Sequence, residues 1–183
     1  MPPEPAPRLP RIAVLTVSDR ASTGAYADLG GPAAEDWLRA TLSCPATYHR
    51  QIVPDGATPV AGALAALADD WGADLVLVTG GTGPAPRDRT PEGLAAVIDF
   101  ALPGFGEAMR AASLAEVPTA ILSRQSAGVR GRTLILTLPG KPAAIATCLA
   151  AVFAAVPYCL ELIGAARIDT DPKRCAAFRP KIG

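Results

Sequence analysis

The sequence predicts one α/β domain whose largely parallel sheet is covered by helices on both faces. Three observations point there. Apolar runs of strand length alternate with helical patterns along the 183 residues. The strongest runs are nearly continuous rather than alternating, which marks strands buried on both faces. The loops that follow those runs gather Gly, Ser, Thr and charged residues, as strand-end loops of such sheets do when they bind ligands.

The elements follow in order. "RIAVLTVS", Arg11 to Ser18, is a buried strand, and "DRASTGAYADLGG" is a glycine-containing loop. "PAAEDWLRATL" opens with Pro32 and sets Trp37, Leu38 and Leu42 on one helical side. "TYHRQIV" is a weak strand that ends at Pro54-Asp55-Gly56. In "TPVAGALAALADDW", Val60, Leu64, Leu67, Ala68 and Trp71 share a helical face, with Gly72 placed to end it. "ADLVLVTG" is the second strong strand. Thr90 as cap, Pro91 and Glu92 then start a helix. "GFGEAMRAASLAEV" reads as a helix. "TAILSRQ" and "TLILTLPG" read as strands joined by the polar "SAGVRGR", and a last helical stretch from Pro142 to Gly164 restarts at Pro157. Trp37 and Trp71 are expected in the core and His49 on the surface.

Composition narrows the functional classes. Half the residues are hydrophobic and 19% are charged, which argues against disorder. Seventeen basic residues balance seventeen acidic ones, so no global field attracts nucleic acid or an anionic membrane. Cys44, Cys148, Cys159 and Cys175 are scattered, and His49 is the single histidine, so a structural zinc site is not expected. Residues 1–10 are expected to form a disordered, proline-rich tail without the apolar core of a signal peptide, and residues 11–183 one domain. The apolar run Cys148 to Leu160 is broken by Pro157 and falls short of the ~20 residues of a spanning helix. A soluble, cytoplasmic protein is expected.

Three loops follow strong strands, Asp19 to Gly31, Gly80 to Thr90, and Pro139 to Pro142, and should converge on one rim. "TGGTGPAPRDRTPEG" has no Gly-Lys-Ser/Thr and no third glycine, so it is neither a Walker loop nor a dinucleotide fingerprint. Gly80, Gly81, Thr82 and Gly83 form either a structural turn or a cradle of backbone N–H groups for an anion. Asp88, between Arg87 and Arg89, is either a solvated surface charge or a ligand for Mg²⁺ beside phosphate. Ser18, Asp19 and Arg20 repeat the pattern after the first strand. Asp55 sits in a Pro-Asp-Gly turn, and Pro139, Gly140 and Lys141 end the last strong strand, where Lys141 is either solvated or a point charge for phosphate. The residues together suit a phosphorylated or nucleotide ligand with a divalent metal.

"VSDRAS.G.Y.D..G", "TGGTGPAPRDRTPEG", "PGFGEAMR", "VPTAILSRQ", "LILTLPGKP", "VPYCLEL" and "AAFRPK" resemble, in order from Arg11 to Lys181, the Mog/MoaB family of molybdopterin adenylyltransferases. The glycine block is common to molybdopterin-binding domains, whereas the first loop, "GFGEAMR" and the final motifs point to the Mog branch. The resemblance implies a three-layer α/β/α sandwich, a homotrimer, and adenylylation of molybdopterin by ATP with Mg²⁺, the product passing to a molybdenum insertase. It implies catalytic, metal-organising roles for Asp55 and Asp88, and nucleotide contacts for Gly80 to Gly83. It implies molybdopterin contacts for Ser113 and Ser123, and places Asp19 in the first strand-end loop. Arg87, Arg124 and Lys141 are phosphate candidates. The chain departs from the family at Lys141, where Asn or Ser is usual, and at Gly56, where Glu is common. It is also short between Leu149 and Phe153.

Overall fold

The computed structural model describes residues 8–180. Its centre is a six-stranded sheet with strands β1 (Arg11–Val17), β2 (Thr47–Val53), β3 (Leu75–Thr79), β4 (Phe100–Ala101), β5 (Ala127–Arg130) and β6 (Thr133–Leu138), in the order β2-β1-β3-β6-β5-β4. The first four in that order run parallel, while β5 and β4 pair antiparallel at one edge. The sheet is therefore mixed, and the parallel part carries the rim on which the three loops meet.

Side-chain parity divides the interior into two layers. Ile12, Val14, Leu75, Leu77, Leu134 and Leu136 face α2 (Gly30–Thr41), α5 (Pro103–Leu114), α6 (Pro142–Val152) and α7 (Val156–Leu162). Ala13, Leu15, Val76, Val78 and Ile135 face α3 (Ala57–Ala65) and α4 (Thr90–Ala95). All five residues of β3 are buried, as expected of a central strand covered on both sides. The edge strand β2 alternates weakly and exposes His49. A short helix, α1 (Asp19–Ser22), sits inside the segment expected to be loop.

Trp37 meets Phe153 edge-on at 4.9 Å. Trp71 is only half-buried, packing on the rim of the second layer with His49 at 5.4 Å, rather than inside the core. Beyond α3, a π-type turn over Ala66–Asp70 ends at Gly72, whose φ of 70° favours glycine.

Besides α1, and the two-residue strand β4 that the sequence reading did not include, one segment inverts the sequence expectation. "TAILSRQ" is not a strand: Pro118–Leu122 forms a 3₁₀ turn with Ile121 and Leu122 exposed. The strand is the adjoining "AGVR", Ala127–Arg130, which had the composition of a turn. Gly128 explains the inversion, because a Cβ there would come 2.7 Å from Ile98. Small size is what the packing selects, and a β-propensity reading does not register it.

Pro142–Leu162 is long and apolar enough to cross a membrane by length and composition. Here Ile145, Cys148, Leu149, Val152, Phe153, Val156 and Leu160 are buried in the first layer, and a 3₁₀ turn at Phe153–Ala155 interrupts the helix. At the other end of the chain, residues 1–7 of the expected tail lie outside the described residues. Arg8 is tied down, donating 2.9 and 2.6 Å hydrogen bonds to the two oxygens of buried Asp74.

Candidate active site

The site is built from the carboxyl ends of β1, β2, β3 and β6. Ser18 N–H donates to Val53 O at 3.0 Å, and its hydroxyl caps α1 by accepting from Ala21 N–H at 3.2 Å. The next residues lock two loops together reciprocally. Asp19 N–H donates to Asp55 Oδ2 at 2.8 Å, and Asp55 N–H donates to Asp19 Oδ1 at 3.0 Å. Arg87 closes the knot with bonds of 3.0 and 2.9 Å to the Asp19 carboxylate and 2.7 Å to Asp55 O.

The Arg87 hydrogen bond holds the Asp19 carboxyl below its ordinary 3.8, with the Asp55 backbone N–H adding to the effect against partial desolvation. A carboxylate depressed in the folded state stabilises the fold above its unfolded pKa, and that contribution is lost as pH falls through the folded value. Carbon-detected titration of Asp19 should therefore give a midpoint below 3.8, returning towards it in Arg87→Gln. An unchanged midpoint in the variant would remove Arg87 as the cause.

The glycine turn has both a structural and a chemical side. Gly80 and Gly81 adopt φ of 100° and 63°, and a Cβ on either would collide, with Val17 O and Thr90 Oγ1 respectively. Thr90 clamps the turn, its hydroxyl donating to Gly80 O at 2.9 Å and its N–H to Gly81 O at 3.0 Å. Thr90 is thus not the helix cap: Arg89 holds that position without a capping side-chain bond. Among the described residues, no protein acceptor takes the N–H groups of Gly81, Thr82 or Gly83. Three consecutive donors at a strand end are suited to an anion.

Arg124 braces this loop from the far side. It donates to Gly83 O at 3.1 Å, Asp88 O at 2.6 Å and Glu92 Oε1 at 2.7 Å, while its own N–H donates to Thr82 O at 2.7 Å. The hydrogen bond from the Arg124 guanidinium pulls the Glu92 carboxyl below its ordinary 4.5. Arg87 and Arg124 are both committed to protein partners in this conformation. Asp88 exchanges hydrogen bonds with Ala85 and lies where a Cβ on Gly83 would come 2.6 Å from its Oδ2.

Two clefts flank the Pro139-Gly140-Lys141 loop. The first, about 410 Å³, is lined by Ser18, Arg20, Tyr26, Gly80, Gly140 and Lys141 among others. It borders the N-termini of both α2 and α6: at α2 the Gly31 N–H is taken by the carboxylate of Asp28, itself a lining residue, while at α6 the helix dipole at Lys141 and Pro142 favours negative charge. The second, about 370 Å³, is lined by Ser113, Ser123, Gln125, Pro139, Gly140 and Lys141 among others. Thr82 and Ser123 hydroxyls are 3.3 Å apart, so the glycine turn adjoins the second cleft.

Asp19, Asp55 and Arg87 line neither cleft, and Asp88 and Arg124 border a separate depression with Arg89 and Glu92. Among the described residues, no three His, Cys, Asp or Glu side chains cluster as a metal cage. Asp55 Oδ1 and Asp88 Oδ1 have no hydrogen-bond partner there. Each is a hard anionic oxygen of the kind Mg²⁺ takes beside water and phosphate, and the two loops that carry them are joined by the Arg87 bond to Asp55 O.

Sequence reasoning missed Thr16, Asp28 and the start of α2. Thr16 Oγ1 donates to Asp28 Oδ2 at 2.9 Å, and Gly31 N–H donates to Asp28 Oδ1 at 2.9 Å, which sets the helix against the first cleft. The signal was present in "ADLGG", an Asp three residues before the second glycine.

A parallel strand-end rim with a free N–H cradle, two helix N-termini and paired clefts defines an α/β protein built for an extended, phosphate-bearing ligand. The chain belongs to the molybdopterin-binding domain family: the family described as "Probable molybdopterin binding domain" matches residues 13–158. A molybdopterin adenylyltransferase of Helicobacter pylori strain J99 is 51% identical over 170 residues, spanning 93% of this chain and 97% of that protein. The protein of the same description from Escherichia coli K12 is 46% identical, spanning 93% and 94%. Among solved structures, the molybdopterin biosynthesis Mog protein of Mycobacterium ulcerans superposes with a TM-score of 0.78 at 38% identity, covering 84% of this chain and 99% of that one.

Proposed function

We propose that this chain is a molybdopterin adenylyltransferase of molybdenum cofactor biosynthesis. A terminal phosphate oxygen of molybdopterin attacks the α-phosphorus of ATP. The new P–O bond gives adenylyl-molybdopterin, and the bond to the α–β bridging oxygen breaks to release pyrophosphate. The observation that carries this reading is the pair of clefts meeting at Gly140 and Lys141, next to the Gly80–Gly83 turn. Two substrates can enter from opposite sides and bring their phosphates to one wall.

The chemistry needs no Ser-His pair, because the attacking phosphate is already anionic. The obstacle is charge: like unit charges ~4 Å apart repel by roughly 4 kcal/mol at an effective dielectric constant of 20. Backbone N–H groups of Gly81 to Gly83, the α6 N-terminus and Lys141 oppose that repulsion and orient the phosphates. Asp55 and Asp88 would hold Mg²⁺, which when bound neutralises phosphate charge. Arg87 and Arg124 keep those two aspartate loops in place, a positioning role that accounts for their internal bonds. Ser113 and Ser123 suit the molybdopterin side, and Ser18 and Gly80 the nucleotide side. A cytoplasmic homotrimer that delivers its product to a molybdenum insertase completes the reading.

Lys141→Ala should raise KM for both substrates roughly tenfold or more, the loss of one charge-assisted contact to phosphate. Lys141→Asn should recover part of it. Steady-state kinetics at two salt concentrations check this, since the wild-type KM should rise with salt more steeply than that of the alanine variant. The reading as a whole is tested by mixing purified protein, molybdopterin, ATP and Mg²⁺. Pyrophosphate should appear in step with adenylyl-molybdopterin. Tight molybdopterin binding without either product would instead mark a carrier.

A further inference from the structure

The floor of the second cleft carries a polar group with no part in the proposed phosphate transfer. Gln125 is fully buried, lines this cleft, and its side-chain Oε1 has no hydrogen-bond partner among the described residues. Its Nε2 makes only a long contact, 3.6 Å, to Cys148 Sγ, which in turn is 3.5 Å from Ser113 Oγ. Burial pushes the Cys148 thiol up, so it stays neutral and is a weak partner in either direction. The backbone of Gln125 is fixed, its carbonyl accepting from Arg110 Nη1 at 2.7 Å. The amide itself is not: the last torsion of a glutamine is broad, and an N–H···S contact is easily given up. A buried amide with an orphaned oxygen is costly unless something satisfies it.

We propose that Gln125 reads the pterin ring of molybdopterin, its amide turning to pair with the ring's lactam edge at the floor of the second cleft. This rests on the adenylyltransferase reading for the identity of the ligand. An amide offers an acceptor and a donor side by side, and the pterin lactam offers an N–H and a carbonyl in the complementary order. The walls support a flat ring, because Val117, Ala120, Ala143 and Ala144 are small or aliphatic. The first cleft differs: it has two helix N-termini and Arg20 stacked 5.1 Å over Tyr26, a setting for phosphates and a nucleotide. Gln125 is thus a specificity residue for the pterin, with no part in the phosphate transfer itself.

The sequence makes the test unusually direct. It has two glutamines, Gln51 and Gln125, and no asparagine, so a ¹⁵N spectrum holds two side-chain amide pairs. Gln51→Glu identifies them. In the wild type, molybdopterin should shift the Gln125 pair, and ATP alone should not. A Gln125 pair that ignores molybdopterin, or that answers to ATP instead, overturns the proposal. As a second measurement, Gln125→Met should raise KM for molybdopterin about tenfold or more, the loss of the two hydrogen bonds of the amide–lactam pair, with kcat and KM for ATP unchanged. Its thermal midpoint should hold or rise, because the orphaned oxygen is gone. A fallen midpoint with unchanged KM would make Gln125 merely structural. If molybdopterin shifts Gln125 but no adenylyl product forms, the enzyme reading fails and this one stands. If product forms while Gln125 stays unmoved, the reverse holds.

Discussion

Replacing Asp88 with asparagine should lower kcat by on the order of a hundredfold or more while leaving the fold and its thermal midpoint intact. The geometry separates the two effects. Asp88 uses Oδ2 to accept from Ala85 N–H, and an asparagine carbonyl in the same position can do so too. Its backbone carbonyl, not its side chain, receives the Arg124 guanidinium, so the brace on the loop survives. What asparagine removes is the charge on the oxygen that has no protein partner. If that charge holds a cation against the phosphates, raising Mg²⁺ should partly restore the rate of the variant. Turnover equal to wild type at ordinary Mg²⁺ would take Asp88 out of the catalytic set. Asp55 carries the same free oxygen but also locks Asp19 through Oδ2, so Asp55→Asn should cost activity and loosen the first loop together.

Asp74→Ala should do the opposite, lowering stability by about 3 kcal/mol and leaving the rim's chemistry in place. Asp74 lies at the amino end of β3, on the far side of the sheet from the clefts. It is fully buried and accepts four bonds: two from Arg8, one from Arg11 N–H at 2.8 Å and one from Ala166 N–H at 2.8 Å. One carboxylate therefore ties the segment before β1, the start of β3 and the chain beyond α7. Alanine would leave two backbone donors and a guanidinium without a partner. In a chain of this length a loss of that size lowers the thermal midpoint by roughly 10 °C. Calorimetry checks it. A midpoint within a degree or two of wild type would mean that water replaces the carboxylate, and that the tie adds little.

These two aspartates also show where the sequence was legible. The strands β1, β3 and β6 are continuous apolar runs, and their burial on both faces follows from that pattern alone. The convergence of the loops at Ser18, Gly80 and Pro139 follows from parallel pairing of those strands. Asp88 stood out because it lies between two arginines in a glycine-rich loop. Asp74 did not, since its partners are 66 and 92 residues away in sequence and no local pattern announces them. The same holds for Gln125, whose significance is an empty acceptor in a packed wall. Arg87 and Arg124 were legible as cations near a phosphate site, but their bonds to loop carbonyls depend on folded geometry. The inversion at Thr119 to Arg130 has a similar cause: Gly128 enters the sheet because Ile98 needs the space, a contact made across the fold.

The proposed reaction is attack of molybdopterin phosphate on the α-phosphorus of ATP within the paired clefts. Radiolabelled ATP tests it most directly. With label in the α-phosphate, purified protein, Mg²⁺ and molybdopterin should yield labelled adenylyl-molybdopterin and unlabelled pyrophosphate. With label in the γ-phosphate, all of it should leave in pyrophosphate and none should stay with the pterin. Transfer of γ-label to molybdopterin, or no transfer of α-label while molybdopterin binds tightly, would rule this reaction out.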